Sequence, residues 1–283
     1  MSEPLLRLYP GPPTPVALAG AYLAHGLHRA DAAKPVVYSN FIASLDGRIA
    51  LVEPGTRRHR VPAAIANPRD WRLFQELAAQ AHVLITSARY LRDLAQGQAQ
   101  DHLPVSTRAP YADLLDWRKA QGLASQPAVA VVSASLDLPV PAGLDLHQRA
   151  FYVVTGEGAD PERVDALERL GLRVLFAGNG RRVEGRRLVD ALVEQGYYSL
   201  CAVAGPQLLY TLVSAGVLDR LYLTHAHRLL GGSEYDSILE GPALDPSADL
   251  RLTSLYYDAH APGGTGQIFG AYECRAGEGG SGR

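Results

Sequence analysis

The stretch that decides the fold is VVYSNFIASLDGR, residues 36–48. Its first part is rich in Val, Tyr, Phe and Ile, which favour a β-strand, and the run between Pro35 and Asp46-Gly47 has the length of one buried strand. Asp46 therefore follows the carboxyl end of that strand, where open α/β sheets bind ligands. A second interpretation stays open, because Asp-Gly is also a common turn in which Asp bonds its own backbone.

The composition of the whole chain is that of a globular protein. Its 283 residues are enough for one large or two small domains, and 47% of them are hydrophobic and 20% charged. The formal net charge of −2 predicts no general attraction to nucleic acid or to a membrane. Cys201 and Cys274 provide neither a disulfide framework nor a zinc spacing, and no segment resembles a signal peptide or membrane span. We therefore expect a reduced, cytoplasmic protein.

Apolar runs alternate with amphipathic segments along most of the chain. Asn67-Pro68 has the residue types of a helix start. Strands are predicted near residues 83–85, 129–133, 151–155, 172–176, 199–204 and 221–226, and helices near 67–80, 111–121, 164–170, 188–195 and 206–213. The alternation after residue 150 requires crossover connections, so this part of the sheet is predicted to be mainly parallel. The last two β runs, 250–257 and 266–274, are predicted to form an antiparallel hairpin at the edge of the sheet.

Three parts of the chain are distinguished by composition. Residues 1–34 are predicted to be an N-terminal extension, with an irregular Pro/Gly stretch at 9–15 and a short amphipathic helix over 16–25. Residues 35–274 form the main domain, in which residues 50–60 are expected to be a loop. Residues 275–283 are expected to be a disordered tail.

Other strand ends also carry groups that suit an anionic ligand. Thr86 and Ser87 would place hydroxyls at a turn between a strand and a helix. The loops at 178–182 (GNGRR) and 204–206 (AGP) bring bare backbone close to helix starts, which suits a pyrophosphate, and the arginines could meet an adenosine 2′-phosphate. The ordinary interpretations stay open: a plain N-cap at Ser87, and loop glycines without a ligand. The basic residues 57–60 are either a phosphate-attracting group or a solvated loop face.

Covalent and metal catalysis have little support in the sequence. No Gly-x-Ser-x-Gly motif occurs, and Cys201 has no basic neighbour. His225-x-His227 would place two imidazoles on one face of a strand, but acidic or thiolate ligands at a suitable spacing are missing. We therefore predict no metal site.

The order of these motifs along the chain resembles the order found in a known family. The segments that carry the resemblance are NFIASLDGR (40–48), VLITS (83–87) running on to Asp93, AGPQLL (204–209), LDRL (218–221) and LLGG (229–232). In order and spacing they resemble the riboflavin-biosynthesis pyrimidine reductase family. This is the C-terminal reductase domain of the bifunctional deaminase-reductase, which is also found as a stand-alone protein. The resemblance covers roughly residues 5–273.

The resemblance implies a fold, a cofactor and a reaction. The fold would be dihydrofolate-reductase-like: an α/β fold with a mixed, mainly parallel sheet, a C-terminal antiparallel hairpin and helices on both faces, usually in a homodimer. The cofactor would be NADPH. The reaction would reduce 5-amino-6-(5-phosphoribosylamino)uracil to its ribityl form, by hydride transfer to C1′ of the open-chain imine.

Site residues follow from the matching positions and from the loops described above. The candidate cofactor-binding residues are Ala43, Thr86, Ser87, Gly178, Arg181, Ala204, Gly205, Pro206, Gln207 and Leu208. The candidate substrate-binding residues are Asn40, Ser44, Arg57 and Arg89. Because the reaction needs a proton, Asp46 or Asp93, or water held by one of them, is the candidate donor.

Several positions depart from the pattern of the family. Val203-Ala204-Gly205-Pro206 stands where Glu-Gly-Gly-Pro is usual, and Ala78 replaces a common arginine. Asp93-Leu94-Ala95 stands where Asp-Asp-Pro usually leads to a phosphate-binding arginine, so Arg57, Arg89 or Arg92 would have to replace that ligand. Two alternatives therefore stay open: a reductase of the same fold with another small substrate, and a nucleotide-binding protein that has lost catalysis.

Overall fold

The computed structural model describes residues 3–53, 55, 58–97, 105, 109–139 and 149–274. The strands are β1 (Leu5–Tyr9), β2 (Thr14–Val16), β3 (Val36–Ser44), β4 (Ala50–Val52), β5 (His59–Arg60), β6 (Val83–Ser87), β7 (Ala128–Val132), β8 (Phe151–Thr155), β9 (Arg173–Phe176), β10 (Ser199–Ala202), β11 (Arg220–Ala226), β12 (Tyr235–Asp236), β13 (Leu250–Asp258) and β14 (Gln267–Cys274). The α-helices are α1 (Pro68–Gln80), α2 (Ala88–Ala95), α3 (Asp113–Ala120), α4 (Pro161–Arg169), α5 (Gly185–Glu194) and α6 (Pro206–Ser214). The predicted α/β class with a mixed sheet is confirmed.

The described residues divide into two compact units. The first unit takes residues from 1–25, 38–74 and 205–283, and the second takes residues from 26–37 and 75–204. The division therefore runs through the segment that we interpreted as an N-terminal extension. The domain boundaries at residues 34 and 274 stay a prediction, and the expected tail at 275–283 lies outside the described residues.

The first unit contains the strand order β2-β1-β13-β14-β11-β3. Its pairs are antiparallel except for β11 and β3, which are parallel. The antiparallel hairpin of β13 and β14 is confirmed, but its predicted place at the edge is wrong. β1 pairs with the outer side of β13, where it satisfies the backbone groups that an edge strand would leave unpaired.

Two local predictions for the first unit are wrong. The expected helix over 16–25 is absent: β2 ends at Val16, Gly20 has φ of +91°, and only a single 3-10 turn forms at Leu23–His25. Positive φ at Gly20 interrupts helical geometry there. The expected loop over 50–60 contains β4 and β5, which form a small antiparallel sheet with β12.

The second unit contains the strand order β10-β6-β7-β8-β9, and every pair is parallel. Leu84, Ile85, Val153 and Val154 have no exposed surface, as expected for parallel strands that are covered on both faces. Thr86 and Ser87 were expected in a turn, but they are the last two residues of β6 and pair with β7. The carboxyl ends of these parallel strands lie at one edge of the sheet, where most of the second unit's candidate residues follow.

Candidate functional site

The Ser44–Arg48 segment is a closed turn at the carboxyl end of β3. The N–H of Gly47 donates to the carbonyl oxygen of Ser44 at 2.9 Å, and the N–H of Ser44 donates to that of Arg48 at 3.0 Å. Gly47 has φ of +80°, which favours glycine because side chains with a Cβ are strained there. The turn interpretation of Asp46-Gly47 is therefore correct for the backbone, but a backbone turn does not explain the contacts of the carboxylate.

The Asp46 carboxylate is held by four different groups. It accepts a short hydrogen bond from the Ser44 hydroxyl and bonds from the backbone N–H groups of Leu230 (3.1 Å) and Gly231 (2.8 Å). The Arg48 guanidinium forms an ion pair with it at 2.9 Å. Its pKa is lowered to about 2, most of all by the hydrogen bond from Ser44. The two backbone hydrogen bonds and the charge of Arg48 act in the same direction. Asp46 is thus ionised at neutral pH and is poorly suited to donate a proton in this state.

Arg48 is a member of this cluster that the sequence analysis did not identify. Its guanidinium also donates to the carbonyl oxygens of Asp46 (2.8 Å) and Gly232 (3.2 Å), and it lies 4.4 Å from the centroid of the Tyr235 ring. The signal in the sequence was its place two residues after Asp46 in the SLDGR segment. Its partners near residue 232 are distant in sequence, so no local pattern indicated the contact.

The same turn is bound to the loop after β11 through the backbone. The N–H of Leu45 donates to the carbonyl oxygen of Arg228 at 2.8 Å. Together with the two N–H groups on Asp46, this contact joins the turn to residues 228–231. The side chains of Leu45 and Leu229 are 56% and 76% exposed, so two large apolar groups lie uncovered beside the carboxylate. Exposed apolar groups beside a polar cluster are typical of a binding surface.

Asn40 and Ala43 lie on β3 itself, before the turn. In the parallel pair with β11, Asn40 is opposite Tyr222 and Ala43 is opposite His225. Ala43 is buried and Asn40 is half-buried. His227, which alternates with His225, is hydrogen-bonded through Nδ1 to the carbonyl oxygen of Thr265 at 3.1 Å. Among the described residues, no three His, Cys, Asp or Glu side chains are grouped as a metal ion would require.

The start of α6 has the geometry of an anion cradle. Gly205 precedes the helix in an extended conformation, no side chain caps the helix, and Pro206 occupies its first turn. The Gln207 N–H has no partner within the helix because Gln207 lies in the first turn. The N–H of Leu208 donates to the Gly205 carbonyl oxygen at 3.1 Å. A Cβ placed on Gly205 would meet nothing within 4 Å, so the space beside it is open. The residues present therefore fit an anionic group such as a cofactor phosphate.

In the second unit, two neighbouring strands carry candidate residues at their carboxyl ends. Thr86 and Ser87 end β6, and Ala204 follows β10; the N–H of Val203 donates to the carbonyl oxygen of Ile85 at 2.8 Å. Thr86 is buried, Ser87 is half-buried, and no side chain caps α2. The structure therefore brings Thr86, Ser87 and Ala204 to the ends of adjacent strands.

The remaining candidates of the second unit lie on α2. Arg89 is exposed and Asp93 is half-exposed on this helix. Arg92, a proposed replacement for the lost phosphate ligand, donates to the carbonyl oxygen of Asp137 at 3.1 Å. Arg57 lies outside the described residues.

The loop after β9 lies farther along the same sheet. Three strand spacings separate β9 from β6, which is about 14 Å, so only an extended ligand could reach both strand ends. A Cβ on Gly178 would lie 2.2 Å from the Arg182 carbonyl oxygen, and one on Gly156 would lie 1.9 Å from that of Gly180. Gly178 therefore allows close packing within the loop after β9, and Gly156 allows close packing between that loop and the loop after β8. The exposed side chain of Arg181 extends from this packed loop.

The chain is similar in sequence to known proteins over most of its length. The sequence model of the RibD C-terminal domain family matches residues 35–260. The 2,5-diamino-6-ribosylamino-4(3H)-pyrimidinone 5′-phosphate reductase of Methanothermobacter thermautotrophicus is 24% identical over 221 residues, or 77% of this chain and 90% of that protein. The protein of the same name from Aquifex aeolicus is 26% identical over 141 residues, or 48% of this chain and 62% of that protein.

A solved structure shows that the fold is shared. A pyrimidine reductase-like protein from Corynebacterium diphtheriae superimposes with a TM-score of 0.64 at 21% identity, over 85% of this chain and 92% of that chain. The family match covers far more than half of the sequence and includes the Asp46 turn, the ends of β6 and β10 and the start of α6. The resemblance inferred from the short segments is thereby confirmed: the chain belongs to the RibD C-terminal domain family.

Proposed function

We propose that the chain is an NADPH-dependent pyrimidine reductase of riboflavin biosynthesis. Its substrate would be 5-amino-6-(5-phosphoribosylamino)uracil, whose ribosyl group is reduced to ribityl. The single observation that carries the proposal is membership of the RibD C-terminal domain family, with the relative from Methanothermobacter thermautotrophicus aligned over 90% of its own length. The hydrogen-bonded Asp46 turn and the open start of α6 support it.

The residues of this chain would bind and orient the reactants. A nicotinamide cofactor, when bound, would supply a hydride for C1′ of the open-chain imine. In the first unit, Gly205, Pro206, Gln207 and Leu208 would hold an anionic part of the cofactor at the uncapped start of α6. Ala43 on β3 would contact the cofactor. Asn40 and Ser44 would hydrogen-bond the substrate.

The other proposed contacts lie in the second unit. Thr86, Ser87 and Ala204 would contact the cofactor from the ends of β6 and β10. Gly178 and Arg181 would meet a more distant part of an extended cofactor, in agreement with the estimated 14 Å between the ends of β6 and β9. The exposed guanidinium of Arg89 would bind the substrate, and we retain the same proposal for Arg57.

A proton must reach the nitrogen that carried the imine. Asp46 accepts bonds from four groups and has a pKa of about 2, so its carboxylate would position Ser44 and the 228–231 loop. Asp93, or water ordered by Asp46 or Asp93, would then deliver the proton. In this proposal Asp46 is a positioning residue and Asp93 a catalytic residue.

The substrate has one close competitor. The named relatives act on a 2,5-diamino-6-ribosylamino-4(3H)-pyrimidinone 5′-phosphate, which carries an amino group where the uracil compound carries an oxygen. The purified protein should therefore be assayed with both compounds, by following the absorbance of the reduced nicotinamide with NADPH and with NADH. Rapid NADPH oxidation with either compound, and formation of the ribityl product, is the expected result.

The assay also separates the alternatives. Cofactor binding with no turnover of either pyrimidine would contradict the proposal. It would favour a reductase for another small substrate or a nucleotide-binding protein without catalysis. Titration of NADPH against intrinsic fluorescence provides the binding measurement. We also propose a homodimer in the cytoplasm. As a separate finding, none of the helices among the described residues has the length and hydropathy of a membrane span.

A further inference from the structure

A polar pocket of about 190 Å³ lies in the first unit, beside the loop that holds Asp46. Its walls come from three segments: residues 63–67 before α1, residues 226–228 after β11, and residues 261–267 before β14. The carboxyl end of β11 contributes Ala226 and Arg228 to the lining. The pocket therefore opens at the same end of β11 at which the Asp46 turn is bound.

Two polar side chains that line this pocket, Asn67 and Gln267, are hydrogen-bonded to each other. Asn67 donates to Gln267 at 2.9 Å, and Gln267 donates to the Asp258 carboxylate at 2.8 Å. Arg69 forms an ion pair with the same carboxylate at 2.7 Å. Asn67 also caps α1 by accepting from the N–H groups of Arg69 (3.1 Å) and Asp70 (3.0 Å). Asp258 does not line the pocket, and its negative charge is compensated by Arg69 behind Asn67 and Gln267.

The wall of the pocket carries a positive charge that is not compensated in this way. Arg228 is half-buried, and no hydrogen bond or ion pair is found for its guanidinium among the described residues. The guanidinium lies against Gly263, where an added Cβ would be 2.5 Å from Nη2. A half-buried guanidinium in a polar pocket is suited to bind a planar or tetrahedral oxyanion through two parallel hydrogen bonds.

Arg228 is also directly connected to the Asp46 turn. Its carbonyl oxygen accepts the N–H of Leu45 at 2.8 Å, and two residues later the loop donates to the Asp46 carboxylate. One residue thus contacts the turn with its backbone and lines the pocket with its side chain. A ligand that reached from the end of β3 into the pocket would meet the guanidinium at its far end.

We propose that Arg228 and this pocket form a binding site for a phosphomonoester dianion. Two sources share this chemistry, and both rest on the proposed function: the 5′-phosphate of the substrate and the 2′-phosphate of NADPH. The usual phosphate-binding arginine is missing after Asp93, and Arg92 is engaged with the backbone of Asp137. Arg228 supplies the charge from the unit that contains Asp46.

Inorganic phosphate tests the site without any need for turnover. Its affinity should be measured by calorimetric titration for the wild-type chain, Arg228→Gln and Arg228→Lys. Loss of a charged hydrogen-bond donor is expected to weaken phosphate binding at least about tenfold in Arg228→Gln. The loss should be smaller in Arg228→Lys, which keeps the positive charge but cannot donate two parallel hydrogen bonds from one planar group. Arg251→Gln is the matched control, because Arg251 is an exposed arginine paired with Glu273 on the same unit. Equal phosphate affinity in wild type and Arg228→Gln, or equal losses in Arg228→Gln and Arg251→Gln, would overturn the proposal.

Kinetic measurements then distinguish the two sources. If the substrate phosphate occupies the pocket, Arg228→Gln raises KM for the phosphorylated pyrimidine at least about tenfold and leaves the dephosphorylated riboside unchanged. If the cofactor phosphate occupies it, the variant instead loses the preference for NADPH over NADH. Phosphate binding that depends on Arg228 in a chain without pyrimidine turnover would uphold the site and refute the proposed function.

Discussion

At the scale of single residues, Asp46 is the centre of the described cluster. A carboxylate has lone pairs for about four hydrogen bonds, and here Ser44, Leu230, Gly231 and Arg48 supply the donors. Its charge is stabilised by these donors, which is why its pKa is low. The physical role of Asp46 is to hold a turn and a distant loop in one arrangement.

Substitution Asp46→Asn should weaken both stability and turnover. The amide cannot accept from all four donors, so we expect kcat to fall roughly 10- to 100-fold through misplacement of Ser44, with a smaller change in KM. The folded pKa of about 2 lies below the unfolded value, so the stability advantage of wild type is complete above about pH 4 and is lost as pH falls towards 2. Urea unfolding at several pH values measures this, with the exposed Asp249→Asn as control. An unchanged kcat would limit Asp46 to the turn.

The contribution of Asp70 to stability should depend on pH in the opposite direction to that of Asp46. It is 8% exposed, and burial raises its pKa to about 6, against a hydrogen bond with Thr224 that lowers it. Because the folded pKa lies above the unfolded value, ionisation destabilises wild type as pH rises from about 4 to 6. Asp70→Asn should therefore be more stable than wild type at pH 7, by at most about 3 kcal/mol, and the gain should disappear near pH 4. Denaturant midpoints at both pH values test this; a gain that is the same at both would contradict it.

At the scale of elements, the loop between β9 and α5 illustrates a glycine that the fold requires. Gly178→Ala would place a Cβ 2.2 Å from the Arg182 carbonyl oxygen, so the backbone must shift, and we expect a loss of about 1–3 kcal/mol in unfolding free energy. Gly180→Ala is the matched control, because its Cβ would meet nothing within 4 Å and its φ is not in the left-handed region. That variant should be neutral or slightly stabilised. Equal stability of the two variants in thermal unfolding would show that the packing argument is wrong.

Element types were predictable where the local pattern was strong. The strand at Val36–Ser44 and the helix at Pro68–Gln80 follow from β-branched and aromatic residues in the first case and from the Asn-Pro start in the second. The segment 16–25 does not form the predicted helix. Leu18 and Tyr22 are buried without helical geometry between them, because Gly20 has a positive φ. Apolar spacing alone did not distinguish these cases.

At the scale of the whole molecule, the proposed homodimer makes a prediction about mass in solution. Leu45, Leu229 and Tyr235 are exposed near the Asp46 turn, and exposed apolar side chains that lie together favour contact with a ligand or a second copy. We expect light scattering to give about twice the 30.4 kDa mass of one chain. A mass of one chain at micromolar concentration would refute the homodimer. Membership of the RibD C-terminal domain family does not depend on this result.

The sequence by itself determined the α/β class, most strands and helices, the family and the place of Asp46 after a buried strand. These depend on side-chain propensity, periodicity and motif order, which are local properties of the chain. Only the tertiary structure decided that β1 covers β13, that residues 230 and 231 bind Asp46, and that Arg228 lines a pocket beside it. Such contacts join residues far apart in sequence, and they form because buried backbone and charged groups must find partners that no local pattern specifies.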